Sequence, residues 1–362
     1  METERKEKKA KKRSPLKTVL KTLFGIVLAV IVLLSAGLIA LSIGEYKPND
    51  TEAVAAPAGT RAVDTGKPLT VVTYNIGYAA LGEDMDFIMD GGTKTRPDSA
   101  SVIERNLKDI ADTVKGLGAD YLLIQEIDLN SRRSYNVDEL EYLKEATGLP
   151  ASFALNYSAP FVPYPFPDML GRVNSGVAVF TDLNVKESTR IQLPVPFSWP
   201  VSTINLKRCM LVNRTPLDNG KELVIINVHL EAYDSGEGKI AQTKQLYEFM
   251  DAEAKKGNYV IVGGDFNQTF PGAKLFPAIY EGCWMPEVVE KELPEGFSFA
   301  FDAEEPTCRL LNKPYKGNDD PMYYILDGFI VSGNLRIEEL EVIDTAFVSS
   351  DHRPVKLTVS FN

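Results

Sequence analysis

Apolar residues follow three different rhythms along this chain. Between Thr22 and Gly44 they are continuous: LFGIVLAVIVLLSAGLIALSI carries no charge. At about 1.5 Å per residue such a helix spans roughly 30 Å, the hydrocarbon thickness of a bilayer. Between Ser99 and Asp120 the rhythm is helical: Ile103, Leu107, Ile110, Val114 and Leu117 recur at alternating intervals of four and three behind Ser99, a candidate cap, and glycines close the segment. This predicts an amphipathic helix, and a second is expected over 238–256. Elsewhere the apolar residues come in short runs bounded by turn residues: PLTVVTYNI, YLLIQEI, SGVAVF, CMLVNRTPL, ELVIINVHL, NYVIVGGDF and YYILDGFIV. Runs of this length suit buried strands. Leu-Asp-Asn-Gly at 217–220 separates two of them, and Asn-Gly accepts the positive φ angles of a hairpin turn. Helices alternating with strands and hairpins argue for α/β layers built on mixed sheets.

The stretches without rhythm set the organisation. Residues 44–67 are rich in Pro, Ala, Gly and charge and read as a flexible linker between a transmembrane helix at 23–43 and a single domain at 68–362. Nine Lys/Arg against three Glu make the first 22 residues +6, so the remainder carries −17 against −11 for the whole chain. A basic flank before the span keeps residues 1–22 in the cytoplasm and places everything after residue 45 outside the cell membrane. The alternative is a cleaved signal peptide, with Ala-Leu-Ser at 40–42 as a weak cleavage site and a secreted product, although such apolar regions are usually shorter. No cysteine follows the span closely, so a lipid anchor has no support. Cys209, Cys283 and Cys308 have no metal-site spacing. Cys283 and Cys308 could form a bridge worth on the order of 3 kcal/mol; three buried thiols is the equal alternative.

The strand ends carry the chemistry. Asn75 ends VVTYN, Glu126 follows YLLIQ, His229 ends VIINVH, Asp265 and Asn267 follow YVIVGG, Asp327 ends YYILD, and Asp351 and His352 precede the last apolar alternation. Singly, each reads more simply as a turn or surface residue. Together they include both histidines of the chain, and they make a donor set for phosphoester hydrolysis. That reaction needs a hard cation held by carboxylates, a base for water and a donor at the leaving oxygen. Imidazoles supply proton donors and acceptors, and an aspartate can fix the tautomer of one. No Gly-x-Ser-x-Gly elbow or phosphate-cradling Gly-rich loop with Gly-Lys occurs, and His and Cys are too few for a zinc site.

TYNI, DYLLIQEID, NSGVAVF, NVHLEA, GGDFN, LDGFIV and SDHRPV occur in that order over residues 69–361, and as a set they resemble the endonuclease/exonuclease/phosphatase superfamily, which includes deoxyribonuclease I and the neutral sphingomyelinases. The resemblance implies a four-layer αββα sandwich, two mixed sheets flanked by helices, with the pocket at one edge of the sheets. It implies Glu126 as principal Mg²⁺ ligand, Asn75 beside it and Asp351 close to the metal, with Mn²⁺ as a substitute. Asp265 and Asn267 would position the attacking water and contact the phosphate. His352, oriented by Asp327, would bind the scissile phosphate or activate water, and His229 would donate to the phosphate or leaving group. Which imidazole is acid and which is base stays open. Asn174 and Arg208 are further candidates for phosphate contact; Arg208 could equally be a solvent-facing strand residue.

The substrate is less legible. A domain at −17 is a poor partner for a long polyanion, which lowers a nucleic-acid reading without excluding it. NYSAPFVPYPFPDML (156–170) and LPVPFSWPVS (193–202) are aromatic, proline-rich loops that either fold down as a lid or form a pocket wall or membrane-touching surface. The leading expectation is a membrane-anchored, extracytoplasmic phosphodiester hydrolase acting on nucleic acid or lipid headgroups. A phosphomonoesterase of the inositol-phosphate type would want a clustered basic pocket, and an inactive binding module would be expected to lack a key carboxylate or histidine. No protein partner is inferable.

Overall fold

The computed structural model describes residues 15–232, 234, 236–281, 284–289, 293–315 and 321–362. The chain divides into two units, Met1–Gly44 and Glu45–Asn362. In the first, α1 (Pro15–Ile43) is a 29-residue helix with no buried side chain. It is long and apolar enough to cross a membrane, a property it shares with signal sequences. It begins eight residues before the apolar run and carries Lys17 and Lys21 on its first turns.

The second unit consists, in chain order, of β1 (Thr51–Val54), β2 (Leu69–Asn75), α2 (Ala100–Gly116), β3 (Tyr121–Asp128), α3 (Glu139–Thr147), β4 (Ala151–Val162), β5 (Gly171–Phe180), β6 (Glu187–Gln192), β7 (Cys209–Pro216), β8 (Glu222–His229), α4 (Glu237–Lys255), β9 (Tyr259–Asp265), β10 (Phe297–Ala300), β11 (Cys308–Arg309), β12 (Tyr323–Tyr324), β13 (Asp327–Ser332), β14 (Leu335–Val342) and β15 (Val355–Phe361). One sheet runs β14-β15-β2-β3-β5-β4 and the other β1-β6-β7-β8-β9-β13-β10, with β11-β12 a separate ribbon. Among these pairs only β2/β3 and β8/β9 are parallel. Each of those is a strand–helix–strand unit, closed by α2 and α4 respectively.

Alternation along the strands builds four layers. Val71, Leu123, Val177, Ile225, Ile261 and Phe329 meet between the two sheets. Their neighbours turn outward: Val72, Leu122 and Ile124 pack on Ile103, Leu107, Ile110 and Val114 of α2, and Val224, Ile226, Val260 and Val262 pack on Leu246 and Met250 of α4. Both faces of each central strand are therefore buried, which is why these strands read as unbroken apolar runs. A pair of amides crosses the middle layer beside the site. Gln125 of β3 donates to Asn227 Oδ1 of β8 at 2.7 Å, and Asn227 Nδ2 donates back to the carbonyls of Ile124 and Ala178. They tie the sheets together one residue before Glu126 and two before His229.

Several expectations change. The linker is not free: Thr51–Val54 pairs with β6 as an edge strand, and Arg61 holds Asp120 and Asp182. The alternating residues of β1 extend a sheet edge that would otherwise be exposed. YYILDGFIV is two strands, because Ile325 and Leu326 carry the chain from the β11-β12 ribbon into β13. The first half of 156–170 completes β4; Pro160 is tolerated there because β4 is an edge strand and its register shifts between Ala159 and Val162. The Ser99 hydroxyl meets Ser101 rather than capping α2. Cys283, and with it the proposed bridge, lies outside the described residues, as do residues 1–14 of the basic tail. Cys209 and Cys308 are buried free thiols.

Candidate active site

Strand direction explains why the polar ends converge. β2 and β3 run parallel, so Asn75 and Glu126 finish at the same edge. β8 and β9 do the same for His229 and Asp265, which stand opposite each other in the ladder. β13 runs antiparallel to β9, so its first residue, Asp327, faces Asp265. β15 runs antiparallel to β2, so the loop before it brings Asp351 and His352 to the same edge. That loop is pinned: Ser350 Oγ donates to the Asn75 carbonyl at 2.8 Å, Arg309 N to the Asp351 carbonyl at 3.0 Å, and Arg353 N to the Thr307 carbonyl at 2.7 Å.

Asp265 is the hub. Its Oδ2 accepts from Asn75 Nδ2 at 3.0 Å and lies 3.5 Å from His229 Nε2 and 3.7 Å from His352 Nε2. Its Oδ1 accepts the Asn267 N–H at 2.8 Å, while Asn267 Nδ2 donates to the Leu230 carbonyl. His352 Nδ1 lies 2.8 Å from Asp327 Oδ2. His229 Nε2 lies 3.9 Å from Glu126 Oε1, and its Nδ1 has no hydrogen-bond partner. Asn75 Oδ1 accepts the Gly77 N–H, so its amide nitrogen is what faces Glu126 and Asp265. Glu126 is the most open of the set, with its side chain 24% exposed.

The backbone is strained around this pocket. Tyr78, Ala79, Glu126 and Asn267 have φ of 41°, 51°, 54° and 48°, a region costly for side-chain-bearing residues and concentrated at functional sites. At Glu126 the strain coincides with the shift in β3–β5 register between Ile124 and Ile127. Behind it, the two glycines of GGDFN allow close packing. A Cβ on Gly264 (φ +155) would meet the Val228 carbonyl oxygen at 1.9 Å, and one on Gly263 would meet the Phe329 ring at 2.7 Å.

Burial and neighbouring charges of both signs shift the titrating groups of the pocket. Burial and the neighbouring Asp327 raise Asp265 to about 6, against the pull of His352 and the Asn267 N–H. Burial raises Asp351 to about 7, with Glu126 adding to it and His352 opposing it. Burial is the largest single influence and works against a charged His352, but Asp327, together with Cys308 and Asp265, outweighs it and holds the imidazole well above its usual value. Burial, then the Arg208 charge, push His229 well below. Clustered, mostly oxygen donors with carboxyls pushed upward fit a hard divalent cation. Among the described residues, two groups present ligand atoms within 4.8 Å of one another: Asp265, Asp327 and His352, and Cys308, Asp351 and His352. Burial raises the Cys308 thiol to about 12, which keeps it protonated.

The two expected phosphate contacts differ in placement. Arg208 is not solvent-facing: it is 2% exposed, its Nε lies 3.8 Å from Glu231, and Nε and Nη1 lack hydrogen-bond partners. Asn174 is committed elsewhere, accepting from Ser158 and donating to Asn130. Other residues here were not expected. Thr307 Oγ1 accepts the N–H groups of Leu326 and Asp327. Arg133 stacks 3.6 Å over the Tyr78 ring and forks onto Asp128. Asp90 is raised to about 6 by burial. Gln125 and Asn227 had a readable signal, as amides inside otherwise apolar runs; Thr307, Arg133 and Asp90 had none.

The model of the endonuclease/exonuclease/phosphatase family matches residues 72–352. Among solved structures, the chain is similar to an endonuclease/exonuclease/phosphatase from Beutenbergia cavernae DSM 12333, at 15% identity over 82% of this chain and 72% of that one, with TM-score 0.53. It is similar to the human Nocturnin catalytic domain with bound sulfate anion, at 18% identity over 82% and 95%, TM-score 0.51. A family protein from Leptotrichia buccalis C-1013-b gives 18% identity over 81% and 100%, TM-score 0.52. At these identities the likeness is one of fold. No curated protein matches the chain.

Proposed function

Because the chain belongs to the endonuclease/exonuclease/phosphatase family, we propose that it is a membrane-anchored, Mg²⁺-dependent phosphodiester hydrolase acting outside the cytoplasmic membrane on nucleic acid or phospholipid headgroups. The observation that carries this reading is the position of Asp265 Oδ2, within 3.7 Å of both imidazole Nε2 atoms and 3.0 Å from Asn75.

Glu126 and Asp351 would hold Mg²⁺ or its substitute Mn²⁺; Asn75, expected as a further ligand, presents its amide N–H groups there and so orients Glu126 and Asp265 instead. When bound there the cation would neutralise charge on the phosphoryl oxygens. Asp265, fixed through Oδ1 by the Asn267 N–H, is positioned to orient the attacking water and take its proton on Oδ2. His352, kept charged by Asp327, offers Nε2–H to a phosphate oxygen. His229 presents Nε2 to the same space, where it meets the phosphate or the leaving oxygen. In the reaction the water oxygen bonds to phosphorus, the ester P–O bond breaks, and the departing oxygen takes a proton from an imidazole. The buried, partly unpartnered guanidinium of Arg208 supports its reading as a phosphate contact. Asn174, bound to Ser158 and Asn130, has no such support.

The test offers the full chain DNA and phosphatidylcholine vesicles together with Mg²⁺, using the His229→Ala protein as blank. Cut DNA with intact lipid identifies a surface nuclease, and released headgroup with intact DNA a lipid phosphodiesterase. Neither product would reject the proposal.

A further inference from the structure

The end of β4 with the loop after it, and a neighbouring loop, put large apolar side chains into solvent. Phe161, Tyr164 and Phe166 are 45%, 54% and 83% exposed, and Trp199 and Val201 are 62% and 50%. These rings do not fold down as a lid. Their bases pack together: Tyr157 Oη donates to the Ile204 carbonyl and Lys207 N to the Asn156 carbonyl, and Ile204 and Leu206 rest on Tyr157, Ala159, Val162 and Leu170. Strand register sets where β4 leads. Asp128, two residues past Glu126, stands opposite Ser175, and Ser175 opposite Tyr157. Phe161 lies four residues further in the same direction, about 13 Å beyond the pocket edge of the sheet.

The same loops hold the residue at which the chain leaves α1. Glu45 Oε1 accepts from Lys207 Nζ at 3.0 Å, with both side chains under a tenth exposed, and Lys207 Nζ also donates to the Ser202 carbonyl at 2.7 Å. Tyr46 lies under the Arg190 guanidinium. Only Gly44 separates Glu45 from Ile43, the last residue of α1, and two residues reach at most about 7 Å. Chain connectivity alone therefore keeps Glu45 within that reach of a bilayer whose surface meets the end of α1.

We propose that Phe161, Tyr164, Phe166, Trp199 and Val201 form a docking surface that seats the catalytic domain on the lipid bilayer crossed by its own α1. The proposal rests on reading α1 as a retained anchor. Tryptophan and tyrosine are the side chains favoured at headgroup depth, and an exposed apolar patch of this kind marks an interaction surface. The Glu45–Lys207 contact, two residues from the end of α1, favours the bilayer over a second copy of the chain as the occupant.

The test uses the full chain carrying Trp284→Phe, which leaves Trp199 as its sole tryptophan, in phosphatidylcholine vesicles with and without bromine on the acyl chains. Flotation reports insertion, and quenching reports the loop. A floating protein that loses most of its Trp199 emission to brominated lipid supports the docking surface. A floating protein with unquenched Trp199 keeps the anchor and overturns the surface. Emission shielded from aqueous iodide yet untouched by bromine points to a second copy and also overturns it. A protein that does not float removes the anchor, and the docking surface with it. Phe166→Cys carrying an environment-sensitive fluorophore gives the same reading with Trp284 left in place.

Discussion

Asp327 Oδ2 lies 2.8 Å from His352 Nδ1, and Asp327 is itself held by Thr307, whose hydroxyl accepts the N–H groups of residues 326 and 327. The contact closes a loop that begins only after β14, and it fixes which nitrogen of His352 faces Asp265. Asp327→Asn keeps the shape and removes the charge that holds the imidazole protonated. The expected outcome is a fall in kcat of about 10²–10³-fold with unchanged thermal stability, read from steady-state kinetics beside a melting curve.

Glu126 is the most open carboxylate of the pocket and the expected metal ligand. Glu126→Gln should shift the Mg²⁺ concentration needed for half-maximal rate upward by an order of magnitude or more, by loss of one charged ligand. Chelation should abolish turnover in the wild type, and Mg²⁺ or Mn²⁺ should restore it. Calorimetric titration of Mg²⁺ into both proteins checks the same assignment without substrate.

Gly264→Ala should fail for a steric reason. Its Cβ would stand 1.9 Å from the Val228 carbonyl oxygen, between two parallel strands that cannot separate without moving His229 and Asp265. A loss of about 3 kcal/mol or more is expected, measured by urea unfolding; a variant as stable as wild type would mean β8 and β9 are spaced differently.

Acid stability has an identifiable contributor away from the pocket. Burial would raise Glu253, but the fork from Arg214 with donors from Lys256 and Asn258 outweighs it and lowers it to about 2, from an ordinary 4.5. A lowered folded-state pKa means the stabilisation is complete above about pH 4.5 and disappears as pH falls through about 2. Glu253→Gln should therefore cost about 2 kcal/mol at neutral pH, and the difference from wild type should close within that window. A gap that persisted at pH 2 would contradict the linkage.

The strand-end residues were readable because each closes an apolar run with a polar residue, and strand direction then brings most of them together. What sequence left hidden came from partners far away along the chain. Glu45 looked like part of a tether because Lys207, its partner, is 162 positions distant. Residues 156–162 looked like a loop because their proline and aromatics belong to an edge strand with a register shift, where alternation is weak. α3 is nine residues long, too short for its period to stand out, and is fixed by the Asp138 cap on the Glu141 N–H. Arg208 gave no sign of burial, because its place depends on Glu231 beside it across the sheet.

The decisive measurement is hydrolysis of a simple phosphodiester, bis(p-nitrophenyl) phosphate, by the full chain, its His352→Ala variant and its Glu126→Ala variant across a Mg²⁺ titration. Turnover that requires Mg²⁺ and falls by orders of magnitude in both folded variants is the predicted result. Turnover that ignores Mg²⁺, or that survives near wild-type levels in either variant, would contradict the assignment of this pocket as the catalytic centre.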